Sequence, residues 1–181
     1  MKLIKHSIIS GCYLFEHPFF EDDRGSLIKI FSSKFKKFHK NNQIKQINYS
    51  ITKKKYSIRG MHYQYPHSEY KIVKCIDGKV FDVIVDLRKN SKTFLKHDKF
   101  ILDSNLSHIL FIPKNCAHGY QTLEKNSKIL YFHTSDYFPR YSRGLLYNDP
   151  NLNIKWPFKA SNISKKDKEF SCIDKNKFKG L

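Results

Sequence analysis

Short apolar runs alternate with turn residues through most of the chain. Runs rich in Ile, Val, Phe and Tyr read as strands at Ser26–Ser33, Lys45–Thr52, Ser57–Gln64, Lys71–Ile76 and Lys79–Arg88. Others follow at His97–Asp103, Ile109–Pro113, Tyr120–Leu123 and Ser127–Thr134. Long helical periodicity is nearly absent. Many strands at short spacing predict an all-β sandwich or barrel. The tail after Trp156 is polar, and Ser164–Phe170 predicts one short helix capped by Ser164. No repeat, low-complexity stretch or linker interrupts the pattern. Residues 1–181 are therefore expected to form a single domain.

One pair of runs can be read in more detail. Asp77-Gly78, between KIVKCI and KVFDVIVDLR, is a two-residue hairpin signal. In that register Cys75 faces Val80, Val73 faces Asp82 and Lys71 faces Ile84, all on one side of the sheet. The other side carries Ile72, Phe81, Val83, Val85 and Leu87, apolar except for Lys74, and should pack against a further layer. Lys71 stands diagonally from Asp82 among Val, Ile and Cys. A charged pair in such company predicts a polar pocket inside a barrel rather than a surface ion pair.

Composition narrows the class. A chain of 181 residues fits the usual domain size of about 100–200, and at that size folding buries roughly 70% of the unfolded surface. With 40% hydrophobic and 15% aromatic residues, the chain is too apolar to stay disordered. No apolar run approaches the ~18 residues of a membrane helix. The start, MKLIKHSIISGCYLF, lacks a proper apolar core and a small-residue cleavage site, and reads as mature protein rather than a signal peptide.

The net charge of +18, from 34 Lys+Arg against 16 Asp+Glu, invites a nucleic-acid reading. Yet the basic residues are scattered, with small clusters at Lys36-Lys37, Lys53-Lys54-Lys55 and Lys165-Lys166. No zinc finger, basic zipper or RNA-recognition signature accompanies them. Neither nucleic acid nor membrane is the expected partner, and a sugar nucleotide suits the same charge. Cys12, Cys75, Cys116 and Cys172 are far apart without a CxxC pair. They read as small buried hydrophobes in a reducing, cytoplasmic compartment.

His6, His17, His39, His67, His97 and His108 sit in polar or loop-like contexts and read as solvated. His62, His118 and His133 lie at or near strand ends. His62-Tyr63-Gln64, Glu69 and His118 resemble the metal-binding pattern of cupins. Gln64 stands where a His ligand belongs and is a poor ligand for Fe or Zn, so no metal is expected. Seven glycines without a GxGxxG or Walker sequence signal no nucleotide cofactor either.

Five segments carry a sharper signal: IRGMHYQ, KIVKCIDGKVFDVIVDLR, FIPKNCAHGYQ, LYFHTSDY and YNDPNLNIKWP. In sequence, order and spacing they resemble the dTDP-4-dehydrorhamnose 3,5-epimerase family, from about Phe20 to Asp167. These are cofactor-free sugar-nucleotide epimerases of bacterial surface-polysaccharide synthesis. The resemblance implies an all-β, cupin-like jelly-roll barrel with a short C-terminal helical segment, assembled as a homodimer. His62 matches the catalytic base and Asp167 the carboxylate that orients it. Tyr131 matches the proton donor, and Lys71 the lysine near the sugar's C4 oxygen. Arg59, His118, Gln46, Asn48 and Tyr137 match residues lining the substrate site, and Lys166 is placed near a diphosphate or sugar oxygen. Arg24 matches a residue that reaches substrate in the neighbouring subunit.

The implied chemistry needs these residue types. A 4-ketone acidifies the protons on C3 and C5. A base removes one, leaving an enolate, and an acid on the opposite face returns a proton with inversion. Histidine suits the base, tyrosine can donate from the other face, and a lysine can hold the developing oxyanion. If Arg59 and His62 both meet substrate, their strand must kink between them, and Gly60 is the natural bulge position.

The family pattern is not complete. Leu27 replaces an aromatic, Lys29 an acidic residue, Ser142 a glutamate, and Phe132 a lysine. The first two positions are associated with the nucleotide base. The reaction expected is epimerisation of a nucleotide-linked 4-keto-6-deoxy sugar at C3, with C5 open. The nucleotide is open among dTDP, GDP and CDP, and a heptose is a rival to the hexose. A 3,4-ketoisomerase and a non-catalytic sugar-nucleotide-binding jelly roll are the alternatives.

Overall fold

The computed structural model describes residues 2–32 and 43–181. Lys36-Lys37, His39 and the end of the expected strand at Ser33 lie outside them. The first strands are β1 (Lys2–His6), β2 (Tyr13–Glu16), β3 (Phe19–Asp22) and β4 (Gly25–Ile28). The body of the fold is β5 (Gln46–Thr52), β6 (Ser57–Gln64), β7 (Lys71–Asp77), β8 (Lys79–Asp86) and β9 (His97–Asp103). It continues through β10 (His108–Ile112), β11 (Cys116–Thr122) and β12 (Ser127–His133). Two short strands, β13 (Ser142–Gly144) and β14 (Asn162–Ile163), precede the helix α1 (Lys165–Lys168).

The main strands form two facing sheets. One runs β1-β2-β10-β7-β12-β5, and the other β13-β6-β11-β8-β9 with β14 parallel to β6. From β5 to β13 every step but β8–β9 crosses from one sheet to the other, which is the jelly-roll arrangement expected. The β3–β4 hairpin stands apart as a two-stranded ribbon.

The core between the sheets is built by alternation. Val73, Cys75, Leu110 and Ile129 from the first sheet meet Val80, Ile84, Phe100, Leu102 and Tyr120 from the second. All are nearly inaccessible to water, and each contributes roughly 1.5–3 kcal/mol for the larger aliphatics. Val83, Val85 and Leu87 point outward from the second sheet. The C-terminal segment folds back over them through Leu145, Leu152, Ile154 and Ile173. It is pinned by the Leu181 N–H donating to the Leu87 carbonyl at 2.8 Å. Ile72, Phe111 and Phe132 form a separate outer cluster on the first sheet.

Asp77-Gly78 does not close a hairpin. β7 pairs with β10 and β12, while β8 pairs with β11 and β9. The turn is a corner between sheets, with Gly78 at φ 74° and room for no Cβ beside Ser127. A positive-φ glycine serves either geometry. The division of faces survives because period-two alternation belongs to each strand, whichever strand it pairs with.

Other expectations also shift. β11 begins at Cys116 rather than Tyr120, because Cys116-Ala117-His118-Gly119 reads as loop yet is fully buried between β6 and β8. β4 stops at Ile28, and β1, β2, β3, β13 and β14 carried too little apolar length to register. The helix is shorter than Ser164–Phe170, but Ser164 caps it, its Oγ accepting from the Asp167 N–H. His17 is buried, not solvated, and burial lowers its pKa. Cys172 is exposed, unlike the other three cysteines.

Candidate active site

A cavity of about 770 Å³ opens between the two sheets beside the apolar core. Asn48, Arg59, His62, Lys71, His118, Tyr131, Tyr137, Lys166 and Asp167 all line it. Gln46 lies in an adjoining recess of about 50 Å³ that shares Asn48, Glu69, His133 and Tyr137 with the main cavity. Arg24 is elsewhere. It sits on the β3–β4 ribbon with its side chain 90% exposed and paired with Asp22 at 2.6 Å.

His62 reaches the cavity through a bulge. Opposite β11, His118 pairs with His62 and Tyr120 with Arg59, so Gly60 and Met61 together face Gly119. The extra residue reverses the alternation and lets Arg59 and His62 share one side. Gly60 has φ 114°, and a Cβ there would lie 2.6 Å from the Gly119 Cα. Arg59 is steadied by Nε donating to Thr52 Oγ1 at 3.0 Å.

His62 Nε2 lies 2.7 Å from Asp167 Oδ1. The other carboxylate oxygen accepts from the Gly60 N–H at 3.1 Å. The bulge thus serves both members of the pair. Asp167 is buried while His62 remains partly open to the cavity. Burial alone would raise the Asp167 pKa. The bonds from His62, Gly60 and Ser164 outweigh it, and the carboxyl lies below its ordinary value.

Tyr131 comes from β12, on the wall opposite β6. Burial and the neighbouring Tyr120 hydroxyl push its pKa well above that of a free phenol. It therefore keeps its proton across the physiological range. Its ring meets His118 edge-on, with centroids 6.0 Å apart. Tyr120 is held by Thr52 Oγ1 at 3.0 Å and Ser50 Oγ at 3.3 Å. A histidine–carboxylate pair on one wall and a protonated tyrosine on the other can exchange protons with opposite faces of a bound molecule.

Two carboxylates support His118 and Lys71. Asp82 is fully buried and its Oδ2 lies 2.8 Å from His118 Nε2. Burial raises its pKa more than His118 and Lys71 lower it. Lys71 Nζ lies 3.3 Å from Glu69 Oε1. Burial pushes Glu69 up, but Lys71 and His133 draw it below its ordinary value. Gln64 is buried and its side chain is engaged by the protein itself. Its amide donates to the His67 and Asp136 carbonyls and accepts from the Phe138 N–H. Among the described residues no three His, Cys, Asp or Glu side chains are grouped to hold a metal ion.

Sequence reasoning placed Glu69 only in the cupin metal pattern, gave His133 no role, and missed Tyr120 as the partner of Tyr131. His133 was readable, since it shares the β12 face of Tyr131 two residues away. Phe132 points to the outer cluster instead, so its departure from the family pattern does not touch the cavity. Ser142 does line the cavity, accepting from Lys166 Nζ at 3.3 Å.

Residues 6–175 match the family model described as dTDP-4-dehydrorhamnose 3,5-epimerase. A dTDP-4-dehydrorhamnose 3,5-epimerase of Shigella flexneri is 34% identical over 92% of this chain and 93% of its own. A structure of the same-named protein from Bacillus anthracis, with TDP and PPi bound, aligns with a TM-score of 0.90 at 32% identity. It covers 95% of this chain and 99% of that one. A Legionella pneumophila dTDP-6-deoxy-D-glucose-3,5-epimerase in complex with dTDP-4-keto-L-rhamnose aligns at 0.86 with 31% identity, over 92% and 89% of the two chains. With its cupin-like jelly roll, its cavity and these relatives, the chain belongs to the dTDP-4-dehydrorhamnose 3,5-epimerase family of carbohydrate isomerases.

Proposed function

We propose that this protein epimerises a nucleotide-linked 4-keto-6-deoxy sugar at C3, with His62 as base and Tyr131 as acid. The single observation that carries the reading is the placement of the His62–Asp167 pair and protonated Tyr131 on opposite walls of one cavity. His62 takes the proton from carbon, and the Asp167 carboxylate at 2.7 Å stabilises the imidazolium that forms. Lys71 and His118 line the same cavity and would hold the enolate oxygen, in a site whose walls lower the local dielectric. Tyr131 returns a proton from the other side. Rotation of the ring or a second binding mode would expose C5 to the same pair.

The named relatives act on or bind dTDP-linked compounds, which makes thymidine the first nucleotide to try. Arg59, Lys53, Lys54 and Lys166 rim the cavity and suit a diphosphate. Leu27 and Lys29 sit on or just beyond the exposed β3–β4 ribbon, outside the cavity of their own chain. The ribbon also exposes Phe19 and Phe20. An apolar ribbon carrying Arg24 away from its own site supports a homodimer in which Arg24 completes the partner's site. Surface-polysaccharide precursor synthesis in the cytoplasm is the setting such a substrate implies. No helix among the described residues is long and apolar enough to cross a membrane.

Incubation with a dTDP-4-keto-6-deoxyhexose, followed by NMR of the product, tests the reading. Inversion at C3, alone or with C5, is the expected result. Movement of the ketone from C4 to C3 would instead identify a 3,4-ketoisomerase.

A further inference from the structure

One wall of the cavity carries a hydrogen-bond chain whose direction is set by the backbone. The Tyr137 N–H donates to Gln46 Oε1 at 3.0 Å. Gln46 Nε2 then faces Asn48 Oδ1 at 2.7 Å, and Asn48 Nδ2 faces His133 Nε2 at 3.3 Å. A backbone N–H can only donate, so the Gln46 carbonyl must point toward it. Its amide nitrogen must then donate to Asn48, and the Asn48 nitrogen must donate to His133. His133 Nε2 is left as an acceptor, and the ring proton lies on Nδ1. That nitrogen stands 3.6 Å from Glu69 Oε1, the oxygen that also takes Lys71 Nζ at 3.3 Å.

We infer that Glu69 and His133 are positioning residues for Lys71, and that His133 serves as the neutral Nδ1–H tautomer fixed by the chain from Tyr137. The inference rests on Lys71 as the cation at the ketone oxygen in the function proposed above. Glu69 holds the ammonium at the cavity wall, and the dipole of neutral His133 shares the carboxylate without displacing it. Protonating His133 turns Nε2 into a donor facing a donor. Asn48 and Gln46 would have to turn in succession, and the last turn sets the Gln46 amide against the Tyr137 N–H. The imidazolium would also compete with Lys71 for Glu69.

The groups around His133 keep it neutral. Burial lowers its pKa, Lys71 and His118 lower it further, and Glu69 opposes them. From β5 only the neutral Gln46 and Asn48 reach the chain. Tyr131 is the neighbour on its own strand, with ring centroids 6.0 Å apart. Asp136 and Tyr137 border the recess from the loop after β12.

The test pairs His133→Phe with His133→Gln. Glutamine can accept from Asn48 and donate to Glu69, but it cannot be protonated. Solvent-deuterium exchange into a dTDP-4-keto-6-deoxyhexose is followed as kcat and KM from pH 5 to 9. His133→Phe is expected to lose at least tenfold in kcat while its circular dichroism and melting stay close to the parent's. His133→Gln should recover most of that loss, and its kcat should fall less steeply toward acid than the parent's. Parent-like kcat in His133→Phe, or an unchanged acid limb in His133→Gln, would overturn the inference. Long-range 1H–15N NMR of the unliganded parent supplies a readout that needs no substrate. The ring signal missing in His133→Gln should show a neutral Nδ1–H imidazole, and an Nε2–H tautomer would sink the chain as drawn. If the parent exchanges nothing, the proposed function fails and the NMR result alone decides the tautomer.

Discussion

Replacing Asp167 by Asn keeps the carboxylate's shape but removes its charge and turns one acceptor into a donor. The amide can still accept from the Gly60 N–H, now 3.1 Å from Oδ2, so the bulge should hold. With the amide oxygen on Gly60, its nitrogen faces His62 Nε2, so a charge 2.7 Å from the ring is lost and an acceptor there becomes a donor. Two opposite unit charges about 4 Å apart interact by about 4 kcal/mol at an effective dielectric of 20. The His62 side chain is 44% exposed, so water screens part of that. Discounting by about half for this exposure leaves about 2 kcal/mol of imidazolium stabilisation. At 1.36 kcal/mol per decade, loss of the charge alone should slow the proton-transfer step by about 30-fold in Asp167→Asn, and the reversed bond to His62 adds to that. The effect should appear in kcat, because the charge on His62 develops only as the proton moves. Single-turnover exchange of substrate deuterium into water measures it directly. A variant within twofold of the parent, with Gly60 geometry intact, would refute the role given to this pair.

Further outcomes follow from the same geometry. Tyr131→Phe should retain exchange at the carbon served by His62 but lose epimerised product by about a hundredfold, within the range of general-acid contributions. Chiral analysis of the deuterated sugar separates the two. Gly60→Ala meets both the Gly119 backbone and a φ of 114°, and should cost about 2 kcal/mol or more of stability in urea unfolding. Asp86 is the clearest source of pH-dependent stability. Burial would raise its pKa, but bonds from Arg88, Ser91 and Thr93 bring it down to about 2. Its folded pKa is therefore below its unfolded one, so its contribution is present above about pH 4 and is lost as pH falls toward 2. The shift corresponds to about 2 kcal/mol. Asp86→Asn should destabilise by that order at pH 7, with the gap closing near pH 2.

Much of this arrangement was legible in the residues themselves. β6 and β9 coincide with the expected Ser57–Gln64 and His97–Asp103. The kink at Gly60 followed from asking Arg59 and His62 to face one ligand. What failed was long-range pairing. Asp77-Gly78 looks the same whether the strands pair or part, and only the placement of β10 and β12 beside β7 decides it. Lys71 and Asp82 still reach the interior because alternation needs no partner. Glu69 was noted only in the cupin metal pattern, and its place beside Lys71 stayed hidden for the same kind of reason. It lies in a loop, and its meaning depends on Lys71 and on His133, 64 residues downstream. Buried His118 in β11 was assigned to the site by resemblance, while its strand was misplaced because small residues mask a fully enclosed segment.

The +18 charge also takes a narrower meaning. Among the described residues, the basic side chains that face the cavity are Arg59, Lys71, Lys166 and the Lys53-Lys54 rim. A modest cationic rim suits a diphosphate better than a nucleic-acid backbone.

In the proposed reaction His62 removes a proton from carbon next to a ketone. The most direct measurement is incubation in D₂O with dTDP-, GDP- and CDP-linked 4-keto sugars, read by NMR at C3 and C5. Deuterium is expected at C3, or at C3 and C5, with at least one nucleotide, and should be lost in His62→Ala. No incorporation from any of the three, or incorporation that persists in His62→Ala, would contradict it.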